Sequence, residues 1–214
     1  LVPMEPKLKM PKGVENKTGT EGFFPNGNFT FTDNFTSQNL DYRWIGMRGP
    51  REDFITTSEK GLSIKPFAVD INKVAPISAL FQRQQHQNFT ATTTLKFTPK
   101  SEKELAGITC YQSERFNYVF GITKKDKDFY LLLQRTEKGQ SKIIASTIID
   151  VKKPVQLQVT ARGEDYRFNY STDGVNFTNL GGTVSGDILS TNVAGGFTGS
   201  LIGLYATSAN EAQP

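Results

Sequence analysis

The most constraining feature of the chain is the stretch Val155-Gln-Leu157-Gln-Val159-Thr-Ala161, which is apolar at every odd position and polar between. A period of two puts all four apolar side chains on one face of an extended strand, and that face must be buried against a second layer. Tyr166-Arg-Phe168-Asn-Tyr170 repeats the pattern with aromatics, and Ala91, Thr93, Leu95 and Phe97 repeat it again. The connections are as informative. Arg162-Gly163-Glu164 separates the first two strands, and Ser171-Thr172-Asp173-Gly174 follows, with glycines able to take the positive φ of a tight turn. Both joints predict antiparallel pairing. Further strands are expected over 28–35, 62–65, 79–84, 105–111, 118–122, 129–135, 143–150 and 199–206. No amphipathic helix of useful length competes. Many short strands with turns between them fit a sandwich or a barrel, and of the two we take the sandwich.

Composition agrees and excludes several functions. The 214 residues include 16 Phe, 7 Tyr, 19 Gly and 10 Pro, a mixture suited to short strands and many turns, and long enough for one all-β domain with a sizeable core. Lys and Arg number 25 against 21 Asp and Glu, a net charge of +4 without long basic blocks. Lys124-Lys125-Asp126-Lys127 and Lys152-Lys153 read as solvated turns, so nucleic acid is not an expected partner. No stretch of 18 apolar residues is available to span a membrane as a helix. The single cysteine, Cys110, lies in an apolar run and is expected to be a buried, inert thiol. Residues 1–26, with Pro3, Pro6, Pro11 and Pro25, have no strand or helix period and read as a linker or a surface strap, with the patterned domain over 27–214. A linker implies an upstream segment. The compartment stays open, with periplasm or cell exterior favoured over cytoplasm.

Catalytic constellations are scarce. His86 is the only histidine, and no G-x-S-x-G elbow or phosphate-binding glycine loop accompanies it. It reads as a hydrogen-bonded residue beside a strand end, with a ligand contact as the alternative. Glycoside hydrolysis requires two carboxyl groups flanking the scissile bond, and the E-x-D-x-x-E arrangement of sandwich glucanases is absent. The acids fall at turns or termini instead. Asp33, Asp41 or Asp187 could serve a structural calcium, although no ligand loop of defined spacing is visible. The Asn-x-Ser/Thr sequons at Asn16, Asn28, Asn34, Asn88, Asn169 and Asn176 match the composition of turns and strand edges, and glycosylation is not inferred from them.

Three groups of segments carry a family resemblance. Thr32-Asp33-Asn34-Phe35 with Leu40-Asp-Tyr-Arg-Trp44-Ile-Gly-Met-Arg48-Gly-Pro50 is the first. Leu80-Phe-Gln-Arg83-Gln-Gln-His86 with Ala106-Gly107-Ile-Thr-Cys-Tyr111-Gln112 is the second. Tyr170-Ser-Thr-Asp173-Gly174 with Phe197-Thr-Gly199 and Gly203-Leu204 is the third. In order and spacing these resemble the concanavalin A-like C-terminal domain of β-xylosidases in glycoside hydrolase family 43, over roughly residues 28–206. The resemblance implies a sandwich of two antiparallel sheets that packs on an upstream five-bladed propeller. The propeller holds the catalytic acids, so no catalytic residue, cofactor or metal ligand is assigned here. It also implies a loop aromatic that closes a pocket for a pentose-containing oligosaccharide, and Phe197 is the candidate.

Gly195-Gly-Phe197-Thr-Gly199 surrounds one large apolar group with residues lacking cover, which suits an outward aromatic; an ordinary core Phe at a strand start is the alternative. Trp44 could stack on a sugar but, between Arg43 and Arg48, reads more readily as a core anchor. Arg83 and His86 complete the candidate substrate-binding set. The alternative functions are a free carbohydrate-binding module and a stand-alone sandwich glycosidase. The family's closing A-D-F-D-x-F type strand has no counterpart before Pro214. Its loss would leave the neighbouring strand an unpaired edge.

Overall fold

Thirteen strands and three short helical turns follow one another along the described chain. The computed structural model describes residues 30–212 and Pro214, so the expected linker over 1–26 and its boundary at 27 lie outside them. The larger sheet has seven strands in the order β1 (Ile45–Met47), β4 (Ile77–Arg83), β13 (Leu201–Thr207), β6 (Leu105–Ser113), β7 (Phe116–Lys125), β8 (Asp128–Glu137) and β9 (Gln140–Ile148). The smaller has four, β12 (Thr178–Ser185), β11 (Asp165–Ser171), β10 (Val155–Arg162) and β5 (Asn88–Leu95), and β2 (Ile55–Ser58) pairs with β3 (Gly61–Ile64) as a separate hairpin. Every ladder between these strands is antiparallel. The architecture is the two-sheet sandwich anticipated from the alternation.

The period-two strands form the smaller sheet. Val155, Leu157, Val159 and Ala161 of β10 are all buried, and so are Tyr166 and Phe168 of β11. They meet Ile108, Cys110, Tyr118, Phe120, Ile122, Leu131 and Leu133 of the larger sheet in one core. Phe168 packs at 5.5 Å from both Tyr118 and Phe120, tilted by 46° and 59°. Offset aromatic pairs of this kind contribute about 1 kcal/mol each beyond their buried area. Cys110 is fully buried here, and desolvation pushes its thiol pKa up, which leaves it unreactive.

The larger sheet is buried on its outer face too. Ile77, Ala79, Phe81, Leu105, Tyr111, Val119, Leu132, Leu201 and Tyr205 form a second apolar layer with Ile71. That is why β4, β6, β7 and β8 read as continuous apolar runs rather than alternating ones. Room for this layer depends on glycine. A Cβ on Gly203 would come within 2.5 Å of the Leu80 carbonyl and of the Phe81 ring, and one on Gly107 within 2.1 Å of the Phe120 carbonyl. On the closing side of the sandwich, Gly181 at φ +85° lies under Leu133 and Ala145.

Two expectations are corrected. Residues 30–36 form no strand, although 28–35 reads as one; Phe35 adopts φ +55°, which breaks the pleat. Nor is β13 an exposed edge. It runs between β4 and β6 and pairs with both, because the crossover before it inserts the last strand into the middle of the sheet. Strands β1, β2 and β12 lacked a sequence signal: β1 and β2 are only three and four residues long, and Gly181-Gly182 interrupts β12.

Gly203→Ala is expected to lower the unfolding free energy by about 2 kcal/mol or more through overpacking against Phe81. Gly163→Ala, at φ +60° with nothing within 4 Å, should cost about 1 kcal/mol from backbone strain alone. Denaturant midpoints at unchanged slope would measure both.

Candidate functional site

The candidate residues gather at one end of the larger sheet. Ile45 pairs with Phe81, and Leu201 pairs with Arg83 and Tyr111. Trp44 therefore enters β1, Arg83 ends β4, His86 lies in the crossover from β4 to β5, and Phe197 leads into β13, all at that end. The glycine-rich loop itself arrives from β12. Ile188 and Leu189 are buried in the inter-sheet core and anchor the chain as it crosses. A four-residue helical turn, α1 (Thr191–Ala194), follows, with the Ser190 hydroxyl accepting from Val193 N–H at 3.3 Å and Gly195 N–H donating to Thr191 O at 2.9 Å.

Gly195, Gly196 and Gly199 then take φ of +73°, +76° and +71°, conformations that a side chain would strain. Between them Phe197 stands free of the protein, at 104% of its reference accessibility. Of the two sequence readings, the core Phe is thus overturned: the loop lifts the ring off the sheet before β13 begins. Tyr42, at 75%, is another strongly exposed aromatic.

The loop is nevertheless held. Arg83 Nη1 donates to the Thr198 carbonyl at 3.0 Å, Gln84 N–H donates to the Ser200 carbonyl at 3.0 Å, and Gln112 Nε2 donates to the Gly195 carbonyl at 2.7 Å. Arg83 is exposed. His86 is half-buried, and its carbonyl accepts from Gln84 Nε2 at 3.0 Å while Gln84 Oε1 accepts from the Tyr166 hydroxyl at 2.7 Å. Trp44 is half-buried, with its ring 5.3 Å from that of Phe35 and its carbonyl accepting from Arg51. This is the geometry of an anchored aromatic. Gln112, present in the Tyr-Gln motif, was given no role by the sequence; a glycine loop with an outward aromatic needs an anchor, but nothing in the pattern says which residue provides it.

The nearby acids serve structure. Asp41 grips Arg43 through Nε and Nη2, both at 2.8 Å, and its Oδ1 accepts from Arg43 N–H at 2.9 Å. The Arg43 side chain holds the Asp41 pKa at about 2. Arg48, at φ +57°, pairs with Glu114 at 2.7 Å. Asp173 accepts from the backbone N–H groups of Asn176 and Val175, which hold its pKa well below the usual range. One groove, on the outer face of the larger sheet, is lined by two acids, Asp70 and Glu211, with Asn72, Gln134 and Lys142. Asp70 is buried there, which raises its pKa. Among the described residues no three His, Cys, Asp or Glu side chains come together as a metal cluster.

The two-sheet antiparallel sandwich is the architecture of a concanavalin A-like domain. The chain belongs to the family of β-xylosidase C-terminal concanavalin A-like domains, whose profile matches residues 32–214. It is 26% identical over 182 residues to the non-reducing end α-L-arabinofuranosidase BoGH43B of Bacteroides ovatus, covering 84% of this chain and 34% of that protein. To xylosidase/arabinosidase 43B of Humicola insolens it is 26% identical over 194 residues, covering 79% and 34%. A crystal structure of a GH43_12 protein from capybara gut metagenome superposes with a TM-score of 0.84 at 46% identity, covering 97% of this chain and 40% of that one. The chain spans about a third of the length of the curated relatives it matches.

Trp44 is the only tryptophan and reports on the Asp41–Arg43 turn. Because the folded pKa of Asp41 lies below its ordinary 3.8, its contribution is present above that value and lost as pH falls through about 2. Trp44 emission should shift to the red over that window, and Asp41→Asn should show part of the shift already at pH 7.

Proposed function

We propose that this chain is the accessory domain of a family 43 glycoside hydrolase of the β-xylosidase or arabinofuranosidase kind, lying against a catalytic propeller and closing its sugar pocket with Phe197. The observation that carries the reading is the complete exposure of Phe197 on a loop held at three carbonyls. An aromatic left in water forgoes about 2 kcal/mol of burial, so fixing it there makes physical sense if a second surface covers it. In that role the ring packs on the apolar face of a pentose ring and excludes water, and the neighbouring domain supplies the carboxyl chemistry. Arg83, His86 and Trp44 border the same end of the sheet. Of these the exposed Arg83 is best placed to donate to a sugar hydroxyl with the guanidinium N–H groups that Thr198 does not use.

In the full-length polypeptide, Phe197→Ala should lower kcat/KM on an aryl pentoside by about 10-fold to 100-fold, the equivalent of about 1.4 to 3 kcal/mol. An unchanged kcat/KM would remove Phe197 from the pocket. The two rivals separate on the 214-residue chain alone. Saturable binding of xylo-oligosaccharides by this chain would make it a carbohydrate-binding module. Hydrolysis by this chain, lost in Asp70→Asn, would make it a sandwich glycosidase built on the Asp70 and Glu211 groove.

A further inference from the structure

We infer that Gln112 is the positioning residue for Phe197, clamping the aromatic loop to β6 through its buried side-chain amide. The inference rests on the reading of Phe197 as the pocket residue for its effect on catalysis, but not for its effect on the loop.

The first observation is the strand face. Ile108 and Cys110 of β6 face the inter-sheet core, and period two places Gln112 on that same face, against which Ala194 of α1 packs. From there its amide reaches the Gly195 carbonyl, 83 residues away in sequence, at 2.7 Å. The second observation is burial. Gln112 is 8% exposed, so water competes poorly for this bond, whereas Arg83 grips Thr198 from an exposed position. The third is steric fit. A Cβ on Gly196 would stand 3.2 Å from Gln112 Nε2, so the loop presents bare backbone to the amide as well as adopting φ +76°. Amide orientation is also fixed, since the opposite flip would set Oε1 against the Gly195 carbonyl, two acceptors facing each other. Gly195 is bound to α1 through its N–H and to β6 through its carbonyl, and Phe197 follows two residues later. Small displacements of a binding group cost rate steeply, so the clamp converts sheet rigidity into the placement of the ring.

The test is Gln112→Met, which keeps length and volume and deletes the donor, with Gly196→Ala disrupting the same joint from the loop side should the first variant fail to fold. Hydrogen exchange in this chain should quicken at least tenfold over residues 195–200, with β10 and β11 unchanged. Exchange unchanged over the loop would overturn the inference whatever the role of Phe197. In the full-length polypeptide, Gln112→Met should raise KM on an aryl pentoside severalfold, and adding it to Phe197→Ala should change kcat/KM less than twofold further. Multiplicative effects in the double variant, or a normal KM in Gln112→Met where Phe197→Ala is impaired, would show that Gln112 does not act through Phe197. A silent Phe197→Ala would instead sink only the pocket reading, with the exchange result still deciding the clamp.

Discussion

Everything in this domain depends on the contact of Phe168 with Tyr118 and Phe120, where the smaller sheet meets the larger. These rings and the aliphatic residues around them set how the sheets face each other, and hence where each crossover leaves one layer and enters the other. Ile188 and Leu189 sit in the same core, so the chain that carries the Phe197 loop is tied to it immediately before the loop begins. A change in the spacing of the sheets would move the loop as well.

The outer apolar layer has a different effect. It buries the second face of a sheet in which β13 already has partners on each side, and the residues just before β13 inherit that rigidity. Gly203 is part of the arrangement, because the ring of Phe81 occupies the space its side chain would need. The loop ahead of β13 can therefore hold backbone angles that few residues accept and still present its one large side chain in a fixed place.

Polar groups divide along the same line. The carboxylates of Asp41, Glu114 and Asp173 are engaged by arginines or backbone N–H groups and fix turns. The amides of Gln84 and Gln112 work at the end of the sandwich, where they join strand ends, a tyrosine of the opposite sheet and the aromatic loop. The groups that hold the Phe197 loop are thus an arginine, a main-chain N–H and an amide, while the ring itself faces outward.

The amino-acid sequence by itself determined the class of fold, because alternation in β5, β10 and β11 admits one buried face per strand and so demands a second layer. It also determined the composition of the aromatic loop, since glycine is the residue that tolerates the angles at 195, 196 and 199. It did not determine which way Phe197 points: a glycine-flanked Phe before a strand has the same local pattern whether it enters the core or leaves it. Nor did it mark Gln112, whose role exists only because α1 packs on the inner face of β6 and brings a segment 83 residues away to its amide. The central place of β13 and the second apolar layer were likewise settled in three dimensions. Sheet order and burial of a second face arise from crossovers and long-range packing, which leave no period along the chain.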